Sequence, residues 1–566
     1  MKKIISALLA TAMLFSLAAC GKGPAGQSGE PSGEKITLTI GVPSAVNVTE
    51  WEDNAYTKWL EEKSGYNIDI INYTVDSSEW KTQLITQVAG GEDLPDIFVD
   101  ANAMPQELKD DGYLVDLAPY FADKNNEDAQ EYLAMLKRNL DPAMYKRVMS
   151  EGYDGEGRWF GFPMVDSDDT IYEMLYINQT WLDNLGLEMP RTWDEFINVM
   201  LAFTTQDPNG NGKPDEIPMM GAAGFARSNT PNWIINNFTH YHMSHTVQPN
   251  ADGQLEFVYF RDGFREGLKA GRAMYDQGLL SDLTWTIKSN SELPATYTPA
   301  NGVARCGIIT GYPTVTCTRE NDLLYQYVPL QPLEGSFAGV HPATHLFQNY
   351  IFDECEHKDE AFRLLCLMAS PEGTIVHRYG EEGVDWEWAE DYRDGHRGVH
   401  VLNDEALAGT THSTWGRASV GTSWAYDPAV DEGVKDYCAS DEGIVETEAP
   451  DESDKWSLYA LEISNEVNDI WLDYAKEVNP ENFVLRYSLA YTAAEEESGG
   501  TSTRSEIYHF VNQMIAEFMT GVRDINDDKE WQAFQDRIMN ELNGAAFLKN
   551  SQAAYERYLA NLAATE

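Results

Sequence analysis

The chain contains no run of about 20 apolar residues, the length needed to cross a bilayer. Basic residues are scarce: 40 lysines and arginines stand against 92 aspartates and glutamates, a formal net charge of −52. A surface of that sign repels nucleic acid and anionic lipid headgroups, so neither is a partner, and it disfavours polyanionic ligands. Cysteine is also sparse, six in 566 residues with no C-x-x-C. Apart from Cys20, an odd number remains (Cys306, Cys317, Cys355, Cys366, Cys438), so at least one is unpaired within the chain. They read as mostly buried thiols, and no disulfide is expected. G-x-S-x-G, H-E-x-x-H, G-x-x-x-x-G-K-[ST] and G-x-G-x-x-G are all absent, which removes the positive case for an enzyme.

The N-terminus has a recognisable plan. Lys2 and Lys3 precede an apolar stretch from Ile4 to Leu17, then Leu17-Ala18-Ala19-Cys20, the layout of a signal peptide over residues 1–19. The last four residues resemble a bacterial lipobox. That resemblance implies a diacylglyceryl group on Cys20, which becomes the first residue of the mature chain; the alternative is an ordinary cleaved signal with a chance cysteine. Two acyl chains hold a protein on a bilayer where one is marginal, so the outer face of the cell membrane is the expected location, with the lipid as the only membrane contact. Residues 20–35 are rich in Gly, Pro and Ser and read as a tether with a reach of roughly 20 Å.

The ordered chain opens with alternation in Ile36-Thr37-Leu38-Thr39-Ile40, a half-buried strand. A helix from Asp53 to Ser64 stops at Gly65, Ile68 and Ile70 mark a second strand, Ser78 to Ala89 reads as a helix, and Asp96-Ile97-Phe98-Val99 is a third strand. This β-α-β-α-β order predicts an α/β fold with a parallel sheet. Ligands in such sheets sit beyond the carboxyl ends of the strands, which singles out Asp100 and Asn102. The C-terminal half reads as helix-rich: 359–368, 454–476, 504–520, and a last helix from Ser551, as N-cap, to Ala563. The apolar stripe Ile507, Phe510, Val511, Met514, Ile515 and Phe518 reads as core.

Several stretches in order resemble the family 1 extracellular solute-binding proteins, in particular their large Gram-positive lipoprotein branch: Leu94 to Phe98, Gly157 to Pro163, Leu175 to Phe196, Asp207 to Pro218, Ala361 to Glu372 and Tyr379 to Trp388. The resemblance implies a two-lobed, periplasmic-binding-protein-like (type II) fold with a hinge between the lobes, and delivery of a carbohydrate, an oligosaccharide, to the permease subunits of an ABC importer. It also implies a chain path: 36–165 in lobe one, 166–325 in lobe two, a return to lobe one over 326–381, and 382–566 in lobe two. A monomer is expected. A peptide ligand of the same fold, or a surface glycoside hydrolase, are the other readings.

Asp207-Pro-Asn209-Gly-Asn211-Gly212-Lys213-Pro-Asp215-Glu216 places oxygen donors at alternate positions, as calcium-binding EF-hand loops do. Asp207, Asn209, Asn211, the Lys213 carbonyl and Asp215 are the candidate ligands. Pro218 replaces the usual bidentate glutamate, and Glu216 can supply the missing carboxylate. A structural calcium is expected there, with an empty polar turn as the alternative. For a sugar cleft, flat aromatics near strand ends and crossings are the candidates: Trp51, Tyr172, Trp233, Tyr312, Trp386 and Trp424, with Asp100 and Asn102 as hydroxyl partners. His240, His242 and His245 lack companions for a metal site, and the acidic groups around 166–173 and 385–390 read as chance neighbours in an acidic chain rather than a glycosidase pair.

Overall fold

The computed structural model describes residues 35–43, 48, 51–74, 77–101, 104–140, 142–165, 170–171, 174–223, 229–241, 246–287, 292–311, 313–318, 321–337, 340–341, 345–393, 396–402, 415, 455, 459, 462–463, 474, 478 and 488–565. Its strands are β1 (Thr37–Pro43), β2 (Asn67–Tyr73), β3 (Ile97–Phe98), β4 (Phe162–Val165), β5 (Thr170–Ile171), β6 (Leu175–Asn178), β7 (Ile217–Met219), β8 (Val247–Pro249), β9 (Leu255–Phe257), β10 (Cys306–Thr310), β11 (Tyr327–Pro329), β12 (Val340–His341), β13 (His345–Ile351), β14 (Trp386–Arg393) and β15 (His396–Val401).

Two main sheets form. The first runs β2-β1-β3-β13-β4, the second β11-β6-β10-β7. In the first, β1 is parallel to both β2 and β3, as the alternating pattern required, while β13 and β4 are antiparallel additions. The returning helices sit where they were read. Ala55–Ser64 is capped by the Asn54 side chain, which accepts from the Tyr56 N–H, and is stopped by Gly65 at φ 76°, a left-handed turn that glycine takes without Cβ strain. Helix Ser77–Gly90 follows.

Each sheet is buried on both faces because its side chains alternate. In the first sheet Leu38, Ile40 and Ile97 face a core completed by Leu60, Leu136, Phe362 and Leu365, while Tyr73, Phe98 and Tyr350 face another with Trp80 and Leu84. In the second, Leu175, Ile177 and Ile308 join the largest core, and Tyr176, Ile309 and Tyr327 a smaller one. The long helix Thr501–Thr520 delivers Ile507, Phe510, Val511, Met514, Ile515 and Phe518 to that largest core, as the stripe predicts.

Three details differ from the sequence reading. The last helix is Gly544–Ala564, so Ser551 is not its N-cap but a fully buried mid-helix residue 2.8 Å from the Tyr491 hydroxyl. Trp386 and Trp415 lie in the first sheet's core, although 382–566 was assigned to the second lobe; a tryptophan goes wherever the largest apolar area can be covered. β11 pairs with β6 in the second sheet, so the return to the first sheet falls between Pro329 and His345. The expected 454–476 helix, Cys20 and Cys438 lie outside the described residues. Cys306, Cys317, Cys355 and Cys366 are free, and the first three are buried.

The C-terminal chain also reaches the first lobe. The Ser488 hydroxyl donates to the buried Glu151 carboxylate, at the end of helix Pro142–Glu151. Beside it, a Cβ on Gly155 would lie 2.5 Å from the Thr492 nitrogen and 2.6 Å from the Tyr491 carbonyl carbon. Backbone on backbone leaves no rotamer through which to escape, so Gly155→Ala is expected to cost roughly 1–3 kcal/mol, read as a lowered urea midpoint. An unchanged midpoint would mean that segment 491–492 yields freely.

Candidate ligand-binding site

The cleft follows from strand directions. β1 and β3 are parallel and end at Pro43 and Phe98; β13, antiparallel to β3, starts at that same edge with His345, which is paired with Val165, the last residue of β4. In the second sheet, β6 starts where β10 and β11 end, Leu175 opposite Thr310 and Tyr176 opposite Pro329, and β7, parallel to β10, ends there too. Two chain crossings, 166–174 and 330–344, therefore run from one sheet's carboxyl edge to the other's; a third, between Trp415 in the first sheet's core and Tyr459 in the smaller core of the second, falls outside the described residues. Midway the first two pair with each other, Thr170 with His341 and Ile171 with Val340. This ribbon joins two ligand-competent edges, and a hinge built this way is a recurrent device for closing lobes around ligand.

Of the eight sequence candidates for ligand contact, Asn102, Tyr172, Tyr312 and Trp424 lie outside the described residues. Three others are packed into cores. Trp233 is 1% exposed against Trp193 and Phe196, with ring centroids 6.3 and 5.1 Å away. Trp386 is buried, its indole N–H donating to the Gly380 carbonyl at 2.8 Å. Trp51 is buried 5.9 Å from Trp415, whose own N–H is held by Thr57 at 2.7 Å. Burying a large aromatic stabilises the fold more than any exposed position does, which is why these three serve packing.

Asp100 stands at the edge. It follows β3 in a left-handed conformation, φ 54°, uncommon for a residue other than glycine. Its N–H donates to Asn349 Oδ1 at 3.0 Å, and the next N–H, of Ala101, donates to the Gln348 carbonyl at 2.9 Å. Burial pushes its carboxyl from the ordinary 3.8 up to about 8, because a desolvated carboxyl resists ionisation. Sequence reasoning missed Gln348 and Asn349, since neither carries a motif; a polar pair inside an otherwise apolar strand (His345–Ile351) was the available signal.

The 207–216 loop sits at the other end of β7, away from the cleft edge. Asp207, at φ 47°, accepts the N–H groups of Asn211 and Gly212 at 3.1 and 3.0 Å, and Asn209 Oδ1 accepts the Asn211 N–H at 3.0 Å. Asn211 donates its amide to Asp215 at 2.9 Å and accepts the Lys213 N–H at 2.7 Å. Glu216 Oε1 is buried with no hydrogen-bond partner. Burial, together with the charges of Asp207 and Asp215, raises the Glu216 carboxyl's pKa. Among the described residues no three acidic, His or Cys side chains are gathered around one metal-binding point; the loop as it stands closes on its own N–H groups. His240 is buried, and His242 and His245 lie outside the described residues.

The Asp100 shift has a measurable consequence. Between pH 3.8 and about 8 the native carboxyl keeps a proton that the unfolded chain has lost, so this residue's contribution to stability falls as pH rises through that window. Asp100→Asn removes the slope and keeps the backbone, because Asn tolerates left-handed φ. Urea unfolding at pH 5, 6.5 and 8 is expected to show the variant gaining on the parent as pH rises; a difference independent of pH would contradict the burial argument.

Residues 45–295 match the family model of the bacterial extracellular solute-binding protein. The chain is 31% identical over 293 residues to FusA of Streptococcus pneumoniae serotype 4, a fructooligosaccharide ABC transporter substrate-binding protein, covering 49% of this chain and 52% of that one. It spans about half the length of the curated relatives it matches. Among solved structures, an extracellular solute-binding protein from Bifidobacterium longum subsp. infantis superposes with a TM-score of 0.70 at 19% identity, covering 93% of this chain and 98% of that one. An EF-hand mutant of S. pneumoniae FusA in complex with fructo-nystose superposes at 0.64, with 20% identity and coverage of 93% and 100%. These matches make residues 45–295 similar to the bacterial extracellular solute-binding proteins, and the solved structures share the two-lobed α/β fold.

Proposed function

We propose that this chain captures a carbohydrate, an oligosaccharide, between its lobes and presents the closed form to an ABC importer. The observation that carries the reading is the ribbon of β5 and β12, which brings two strand-end edges to one hinge. Capture by closure requires that ligand favour the closed state over the open one; equal affinity for both would move nothing. The description of FusA as a fructooligosaccharide-binding component supports carbohydrate over peptide. The chain acts as a monomer and catalyses no reaction on its ligand. It is held on the outer face of the membrane through lipidated Cys20. No helix among the described residues is long and apolar enough to cross a bilayer.

The 207–216 loop holds a structural calcium ion. The buried, unpartnered Glu216 Oε1 beside Asp207 and Asp215 is the chemistry a hard cation satisfies, and an EF-hand is named in FusA's solved structure. Asp207, Asn209, Asn211, the Lys213 carbonyl, Asp215 and Glu216 would hold the ion, fixing the approach to β7. Calcium is expected to raise the Tm of the chain in a concentration-dependent way, and Glu216→Gln to abolish most of that rise. An equal rise in Glu216→Gln would remove the residue from the site.

The direct test of function is a thermal-shift and calorimetric screen with calcium present, against fructooligosaccharides, other neutral glycans, oligouronates and short peptides, followed by chromatography of the ligand. One glycan class should raise Tm and be recovered intact. A response to peptides alone would overturn the carbohydrate assignment, and glycan breakdown would overturn the assignment as a binding protein.

A further inference from the structure

The 207–216 loop is braced from outside by the two residues that precede β10. The Ile217 N–H donates to the Arg305 carbonyl at 2.7 Å, and the Asn209 amide donates to the Ala304 carbonyl at 3.1 Å. On another side the Asn184 amide donates to the Pro208 carbonyl at 2.8 Å. Residues 304–305 therefore lie under the loop whether or not an ion is bound, and what the Arg305 side chain does there bears on the ion.

That side chain is turned onto Asp215. Its Nε and one terminal nitrogen each donate to the Asp215 carbonyl at 3.4 Å, and Nε stands 4.0 Å from Asp215 Oδ2. The Asn211 amide foremost, then Asn209, Arg305 and Lys213, hold the Asp215 carboxyl below its usual range, so of the two cations Arg305 acts the more strongly. Both partners are partly exposed, 42% for Arg305 and 33% for Asp215, and such a pair adds little to stability. Its effect on a divalent ion is of another kind. A guanidinium has five donors and no acceptor, and it stays charged at every working pH. Arg305 is therefore no ligand, and it places a fixed positive charge beside one.

We infer that Arg305 is the stand-in cation of the calcium loop: it partly neutralises Asp215 while the ion is absent, and its charge lowers the loop's affinity for calcium. This rests on the calcium reading above and adds the residue that sets how tightly the ion is held. Loops of this kind tune their affinity by the charge of the ligand set. A cation fixed beside a ligand carboxylate reduces that charge from outside the set, and two positive charges near one carboxylate repel.

The test is calcium titration by calorimetry on the mature chain, at low and high salt, for the parent, Arg305→Gln and Arg305→Lys, with Tm measured in chelator and in calcium. Arg305→Gln should bind calcium about threefold to tenfold more tightly at low salt, and the gain should shrink in about 0.5 M salt, where exposed charges are screened. Its Tm in chelator should equal or fall below the parent's, while the rise on adding calcium should be larger. Arg305→Lys keeps the charge and should stay within about twofold of the parent. A residue that only braces the loop gives the opposite sign, weaker calcium binding in Arg305→Gln. Equal or weaker binding in Arg305→Gln, or equal tightening in Arg305→Lys, overturns the inference while leaving the calcium site standing. Failure of the parent to bind calcium overturns both.

Discussion

The ligand edge depends on four residues, Thr170 and Ile171 against Val340 and His341. A two-residue ribbon is marginal alone. It persists because each crossing is held at both ends by a sheet buried on two faces, β4 and β13 on one side, β6 and β11 on the other. Large cores stand at each end, and the ribbon is one of the connections between them. The apolar burial resides in the lobes, and besides the ribbon the C-terminal chain joins them at Glu151 and Gly155. Each lobe can then remain rigid while its partner moves, as packed interiors are not continuously deformable.

The same division explains where the tryptophans went. A cleft that opens to water gains from flat aromatic faces only when ligand is present, whereas a core gains from them always. Trp233 among Trp193 and Phe196, and Trp51 with Trp415 and Tyr56, are the outcome. At the described part of the edge the side chains that remain are short and polar: Asp100, Gln348 and Asn349.

How much of this could be read from the sequence follows from the range of the interactions involved. The β-α-β-α-β start was legible because period-two and helical patterns are local, and the 207–216 loop because its turn glycines and oxygen donors are contiguous. The stripe from Ile507 to Phe518 found its core for the same reason. The return point of the chain was misplaced, because Tyr327–Pro329 carries the same short apolar pattern whichever sheet it joins. Ser551 is a good N-cap residue by type, but an unbroken helix forms across it from Gly544, and its hydroxyl meets Tyr491 instead. The bulge at Gln348 was hidden for a deeper reason: it is defined by the partner strand, and the polar pair Gln348-Asn349 does not announce that Phe162 and Pro163 will oppose it out of step.

Backbone strain sorts the candidates once the fold is known. Among the described residues three other than glycine have positive φ: Asp100, Asp207 and Asn543. Asn543 precedes the last helix and donates its side-chain amide to the Ser498 carbonyl at 2.8 Å, so its strain is offset within the fold. Asp207 is offset by its own carboxylate, which accepts two loop N–H groups. Asp100 has no such return. Its N–H is satisfied by Asn349, and the carboxyl of this half-buried residue is raised in pKa by desolvation. Of the three strained positions it alone stands at the edge where the two sheets meet their hinge. That coincidence of strain, desolvation and place is the pattern expected of a site held ready for a ligand.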